Sequence, residues 1–323
     1  MSYSITRRKF IKKTAVTTAA TAASALALTT HCTNKAPDTL PTRTLGKTGI
    51  EISQLVFGGG SQFLKNEDGE WEPILERAVE LGINLFDTAS NYQWGSKLTS
   101  EERFGQILPR VRDKVLISTK FEARDRDGAM REIETSLKSM KTDYIDILML
   151  HSVEKSEEMK VFAEGPYKVM QEMKEQGVAR FIGFSSMNSA EKSREVLENF
   201  EIDACILAMN PTQYGNYAKV ALPAAKARNV GVLAMKVMRN IVGVEATAQE
   251  LMEYAMTQEG VAAACIGHFG MATLEENAAI IRAMSQTRSA AIDREALEAR
   301  LAYLAGPHAL CWARPDYFDG MMC

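Results

Sequence analysis

The chain has 323 residues, 46% of them hydrophobic and 24% charged, with 38 basic and 41 acidic side chains for a net charge of −3. Such a chain can bury a large core, and α/β barrels reach this length as one domain, so disorder and collagen-like structure are excluded as its main character. The slightly acidic balance argues against phosphate-backbone binding, and no nucleic-acid partner is expected.

The first 31 residues stand apart. Arg7, Arg8, Lys9, Lys12 and Lys13 meet no acid there, and a run of Ala, Thr, Val and Leu over 15–28 follows. A basic stretch followed by a short apolar one reads as an export signal rather than fold, and the apolar part is too short for a membrane span. The stretch Thr6-Arg7-Arg8-Lys9-Phe10-Ile11-Lys12 closely resembles a twin-arginine signal. That resemblance implies the twin-arginine translocase as a partner, export to the periplasm in the folded state, and a cofactor carried along. Cys32 stands where a lipoprotein cysteine would stand, although Thr29-Thr30-His31 is a poor match to the motif that should precede it. Residues 32–41 read as a polar linker, and the folded part is expected over 42–323.

Residues 44–52 read as a small hairpin turning at Gly46 and Gly49. Eight short, almost continuously apolar runs follow, at 54–57, 84–86, 115–118, 145–150, 181–184, 205–209, 231–235 and 263–266. Such runs suit strands covered on both faces. Helical periodicity falls between them, at 71–81, 100–107, 130–140, 167–176, 190–199, 222–228, 248–259 and 274–284, with a tail helix over 293–304. Asp127 is the expected cap of the third of these, Thr247 with Glu250 forms a capping box, and Gly82, Gly177 and Gly260 suit left-handed helix ends. Eight β/α units predict a closed (β/α)8 TIM barrel with an N-terminal β-hairpin plug. An open doubly wound sheet would need a glycine-rich turn leading straight into a helix; Gly58-Gly59-Gly60 lacks that spacing and reads as a barrel-mouth loop.

Chemistry in a barrel gathers at the carboxyl ends of the strands. The second strand ends at Asp87 with Tyr92 just beyond, the third at Lys120 and the fourth at His151. A buried lysine needs a partner, which Asp87 can supply. Lys120 beside the Tyr92 hydroxyl is expected to favour phenolate and lower its pKa from about 10. Tyr92 could then donate a proton to a carbonyl oxygen gaining charge, with His151 orienting that carbonyl. Four histidines (31, 151, 268 and 308) form no HxH or HExxH and five cysteines (32, 205, 265, 311 and 323) form no CxxC, so no metal is expected.

At these residues the sequence resembles the aldo-keto reductases over about 42–285. The resemblance rests on Phe86-Asp87-Thr88-Ala89 with Tyr92, Ser100-Glu101-Glu102-Arg103-Phe104-Gly105, Ser118-Thr119-Lys120, the run from Asp143 to His151, and Arg180-Phe181-Ile182-Gly183-Phe184-Ser185. It implies a hairpin-plugged barrel, NADP or NAD as cofactor, and Asp87, Tyr92, Lys120 and His151 as the catalytic four. It also implies a nicotinamide amide held at Ser185, Ser186 and Asn210, with Tyr214 placed to stack on the ring. Lys236 and Arg239 fall in the pyrophosphate loop, and His268, Glu276 and Asn277 in the adenosine region. Gly267 and Thr273 stand where NADP-preferring members carry basic residues, which puts NADP preference in doubt.

The expected reaction is reduction of an aldehyde or ketone to an alcohol, or the reverse, on a small-molecule substrate. Three other readings stay open. An exported enzyme could retain its cofactor for redox-neutral chemistry, or be recharged by a redox partner; Lys120 could form a Schiff base as in an aldolase; or the chain could bind a dinucleotide without turnover. Without export, the enzyme would be a cytoplasmic reductase. Trp94 reads as a pocket wall, Trp312 as a residue reaching over the mouth, Cys311 and Cys323 as a candidate pair after export, and 321–323 as a frayed end. The aromatic walls and few cations suggest a neutral substrate.

Overall fold

A computed structural model of the chain describes residues 39–286, 292–319 and 321. The expected signal segment, Cys32 and Cys323 lie outside the described residues.

Strands β1 (Thr42–Thr44) and β2 (Glu51–Ser53) form the antiparallel hairpin. Its turn places Gly46 and Gly49 at φ 48° and 68°, a region that L side chains rarely adopt. A Cβ at Gly46 would also overlap the backbone at Gly231, and the buried Leu45 side chain packs on that glycine. Gly231 opens strand β9, so the hairpin stands against the amino end of the barrel, as the plug reading requires.

Eight parallel strands close the barrel: β3 (Leu55–Gly58), β4 (Leu85–Asp87), β5 (Leu116–Phe121), β6 (Ile145–Leu150), β7 (Ala179–Ser186), β8 (Ala204–Ala208), β9 (Gly231–Met235) and β10 (Val261–Gly267), with β10 pairing β3. They pair in chain order, the arrangement that right-handed β-helix-β crossovers produce. Each matches one of the eight apolar runs. The (β/α)8 TIM barrel with its N-terminal β-hairpin is thus the observed fold.

The surrounding helices are α1 (Ser61–Leu64), α2 (Trp71–Glu80), α3 (Ser100–Ile107), α4 (Arg126–Met140), α5 (Met159–Phe162), α6 (Lys168–Glu175), α7 (Ala190–Asn199), α8 (Tyr217–Ala227), α9 (Ala248–Met256), α10 (Met271–Gln286) and α11 (Arg294–Leu301). The capping box at Thr247 and Glu250 is present, and Gly82, Gly177 and Gly260 all take positive φ. The cap of α4 differs from expectation. Asp125, not Asp127, accepts from the Gly128 amide, so the helix starts four residues earlier. Asp127 instead lies in the first turn, where its charge faces the positive end of the helix dipole. Helix α8 starts five residues before its expected position and carries Pro223 within it.

Trp312 is fully buried in the main core rather than spread over the mouth. Cys311 is disulfide-bonded, whereas Cys205 and Cys265 are free. Among the described residues no helix is long and apolar enough to cross a membrane, and no group of His, Cys, Asp and Glu could hold a metal ion.

Candidate active site

Strand ends bring the four residues expected to be catalytic together. Asp87 is the last residue of β4, Lys120 lies in β5 and His151 follows β6 directly. Tyr92 sits on the loop leaving β4, with its backbone amide bonded to the Ala89 carbonyl. Glycines make room beside it. A Cβ at Gly59 would overlap the Ser100 hydroxyl and the Asp87 carbonyl, and Gly60 faces the Tyr92 ring.

Lys120 is 1% exposed, so its charge needs compensation. Its Nζ donates to Asp87 Oδ2 at 2.6 Å and to the Thr88 carbonyl at 2.8 Å, the partner expected from sequence. The ammonium also lies 5.2 Å from the centre of the Tyr92 ring. The Cys265 thiol, from β10, reaches Asp87 Oδ2 at 3.8 Å.

Tyr92 departs from expectation. Burial, then the charges of Asp319 and Asp87, raise its pKa well above 10. The phenol therefore keeps its proton at neutral pH, the form that donates. It donates to Asp319 Oδ2 at 2.9 Å, and His151 Nε2 stands 3.1 Å from the same oxygen. Burial pushes the Asp319 carboxyl up, but Lys236 and His151 outweigh it and hold the group well below the usual carboxylate range. With Asp319 ionised, His151 Nε2–H is the donor. Two donors thus converge on one oxygen.

Asp319 arrives on a tail segment that no sequence argument placed in the site. Lys236 Nζ donates to Asp319 Oδ1 at 2.6 Å and to the Tyr317 hydroxyl at 3.0 Å. Arg239 reaches the Tyr317 hydroxyl at 3.2 Å and the Met321 carbonyl at 2.7 Å. Met321 is therefore held, contrary to the expected fraying; residues 322 and 323 lie outside the described residues. Phe318, which lines the second cavity described below, packs on Trp94 with ring centres 4.4 Å apart, so Trp94 backs a lining residue rather than lining a cavity itself. The available signal was the run Asp316-Tyr317-Phe318-Asp319, two aromatics between acids in a polar tail.

Asp319 lines two cavities. One, of about 680 Å³, includes Gly58, Asp87, Tyr92, Lys120 and Cys265, then Lys236 and Arg239 of the loop after β9, and Glu276 and Asn277 of α10. Its volume suits a cofactor-sized molecule. Asp87 Oδ1 has no hydrogen-bond partner among the described residues. Lys236 and Arg239 suit the anionic part of an elongated ligand, and Glu276 and Asn277 suit a hydroxyl- and amine-bearing end. The second cavity, of about 510 Å³, is lined by His151, Phe318 and four glutamates, Glu122, Glu154, Glu157 and Glu158, with Arg124 paired to Glu157.

Other expected cofactor residues lie away from the larger cavity's lining. Ser185 Oγ accepts from the Ser152 amide at 3.0 Å. Ser186 Oγ donates to the Val153 carbonyl at 2.6 Å and shares a bond with the Tyr217 hydroxyl. Asn210 donates to the Lys236 carbonyl at 3.2 Å, bracing a residue held at φ 56°. Tyr214 lies in a single turn after β8, half-buried. His268 is fully buried against Phe57, its Nδ1 is 3.3 Å from the Asn277 amide, and burial pushes its pKa down to about 4.

Comparisons with known proteins agree with this architecture. The pattern of the aldo/keto reductase family matches residues 54–259, and the chain belongs to that family. It is similar to the uncharacterized oxidoreductase YqkF of Bacillus subtilis, 31% identical over 157 residues. That match spans about half of each protein, 45% of this chain and 48% of the relative. L-galactose dehydrogenase of Arabidopsis thaliana is 24% identical over 84% of this chain and 96% of its own length. A provisionally assigned aldo-keto reductase structure from Pseudomonas aeruginosa superposes with a TM-score of 0.64 at 26% identity, covering 76% of this chain and 96% of that one.

Proposed function

We propose that this protein is an NAD(P)H-dependent oxidoreductase that reduces an aldehyde or ketone to an alcohol, or runs the reverse reaction. One observation carries the reading. Tyr92 Oη and His151 Nε2 aim at a single oxygen beside the Lys120–Asp87 pair. A carbonyl oxygen needs this pair of donors as it gains negative charge. The nicotinamide, when bound, supplies or accepts the hydride. Tyr92 delivers the proton to the oxygen, His151 fixes its direction, and Asp87 holds Lys120 beneath the Tyr92 ring. Family membership supports the same reading.

Lys120 argues against Schiff-base chemistry. Its Nζ is held as a donor to Asp87 and to the Thr88 carbonyl, a geometry that does not aim the nitrogen at a substrate carbonyl as a nucleophile. The cofactor in this proposal is NAD before NADP. Gly267, Phe269 and Thr273 line the cavity beside Glu276 and Asn277, and among the described residues the cations that line it, Lys120, Lys236 and Arg239, come from β5 and the loop after β9 rather than from β10 or α10, where a 2′-phosphate would need them.

We place the enzyme outside the cytoplasm on the strength of Arg7-Arg8 and the apolar run after them. Fractionation with and without lysines in place of these arginines tests that: retention of the double variant in the cytoplasm is expected, and unchanged distribution would overturn it. For the activity, absorbance at 340 nm is followed with NADH or NADPH over a panel of aldehydes and ketones. Carbonyl-dependent oxidation that falls about 10²- to 10⁴-fold in Tyr92→Phe is expected. Binding of the cofactor without turnover on any carbonyl or alcohol would favour a non-catalytic role.

A further inference from the structure

The larger and the acidic cavity meet at Asp319, whose side chain is 5% exposed. Its two oxygens take four bonds. Oδ2 accepts from Tyr92 and His151, and Oδ1 accepts from Lys236 and lies 3.2 Å from the Tyr317 hydroxyl. Three of these groups belong to the barrel and come from three different strand ends, after β4, β6 and β9. Phe318 against Trp94, Asn91 on the Asp319 carbonyl and Arg239 on the Met321 carbonyl hold the flanking residues. This is how a site holds a ligand, with charge-assisted bonds to both carboxylate oxygens and an aromatic clamp beside them.

The consequence is steric. A substrate carbonyl oxygen bonded to both Tyr92 and His151 must take the place of Asp319 Oδ2, because two oxygens cannot share that point. We propose that the tail is a tethered, displaceable ligand of the reaction site, its Asp319 carboxylate held by Tyr92, His151 and Lys236 until a substrate or a free carboxylate takes its place. The part concerning turnover rests on the reductase reading; the part concerning carboxylates does not. In this arrangement the docked tail keeps the reaction site closed, and substrate enters by exchanging with Asp319. Tethering raises the local concentration of the internal carboxylate far above that of a free one at micromolar levels.

The test uses the full chain and benzoate as the probe. Calorimetric titration compares wild type with Asp319→Ala, without added nucleotide. Benzoate should bind Asp319→Ala at least tenfold more tightly than wild type, and adding Lys236→Met to that variant should remove the gain. Asp319→Asn, which keeps the shape and loses the charge, should fall between the two and guards against a folding defect in the alanine variant. In turnover, Asp319→Ala should lower KM for carbonyl substrates about tenfold and become sensitive to competitive inhibition by benzoate. Equal benzoate affinity in wild type, Asp319→Ala and Asp319→Asn overturns the proposal, as does loss of kcat in Asp319→Ala with KM unchanged, which would make Asp319 part of the chemistry. If neither protein reduces any carbonyl, the reductase reading fails while the benzoate titration still reports on the tail.

Discussion

The environment of Tyr92 decides what the site can do. From sequence, Lys120 appears as the group that would draw the phenol toward phenolate. In the folded protein Lys120 spends its charge on Asp87 Oδ2 at 2.6 Å, while Asp319 stands on the phenol itself. Burial and that second carboxylate win, and the proton stays on Tyr92. A second buried acid lies behind the site. Glu101 of α3 accepts from Thr119 at 2.6 Å, and burial raises its pKa from 4.5 to about 7 despite that bond. Its folded value lies above its unfolded one, so the native state binds a proton that the unfolded chain has released. Glu101 therefore favours the fold most below about pH 4.5, and that contribution is lost as pH rises through about 7. The swing is roughly 3 kcal/mol at about 1.4 kcal/mol per unit. Urea denaturation of Glu101→Gln should show the variant gaining on wild type by about 1–3 kcal/mol between pH 5 and pH 8. An identical difference at both pH values would contradict the buried-carboxyl account.

At the scale of elements, the strand ends do the positioning. Asp87, Lys120 and His151 were legible because apolar runs ending in polar residues mark where strands leave a buried barrel. Helix starts were less so, since Asp125 and Asp127 are chemically equal candidates for one cap and only the chain path chooses between them. Ser185, Ser186 and Asn210 have types that suit an amide ligand, and in the folded protein each also makes bonds that fasten a loop of the barrel mouth. One glycine tests the barrel directly. Gly183 of β7 pairs with Ala204 of β8, and a Cβ there would overlap the Ala204 carbonyl oxygen. That neighbour is backbone and cannot rotate away. Gly183→Ala should destabilise the fold by about 1–3 kcal/mol, read as a lower urea midpoint. A midpoint equal to wild type would mean that the β7–β8 spacing differs from the one described.

For the whole molecule, the periodicity of the sequence carries the barrel and its plug, because eight buried strands and their helices repeat one local pattern. The tail escapes such reasoning. Residues 316–319 have no period, and their placement follows from contacts with Lys236 and Arg239, some 80 residues earlier in the chain. Two cations expected to meet phosphate thus also hold the tail. Dinucleotide preference belongs to this scale as well, since it depends on β10 and α10 facing a cavity that begins at β4. Titration should show NADH binding at least as tightly as NADPH; a preference of tenfold or more for NADPH would contradict the cofactor assignment.

The most direct test of the central claim follows a single hydride. Reduction of a carbonyl with nicotinamide-4-deuterated cofactor of the transferring face should give an alcohol whose every molecule is heavier by about one mass unit. Tyr92→Phe should form that same product about 10²- to 10⁴-fold more slowly while binding cofactor as wild type does. Products that carry no label, or a Tyr92→Phe enzyme as fast as wild type, would contradict hydride transfer to a carbonyl protonated by Tyr92.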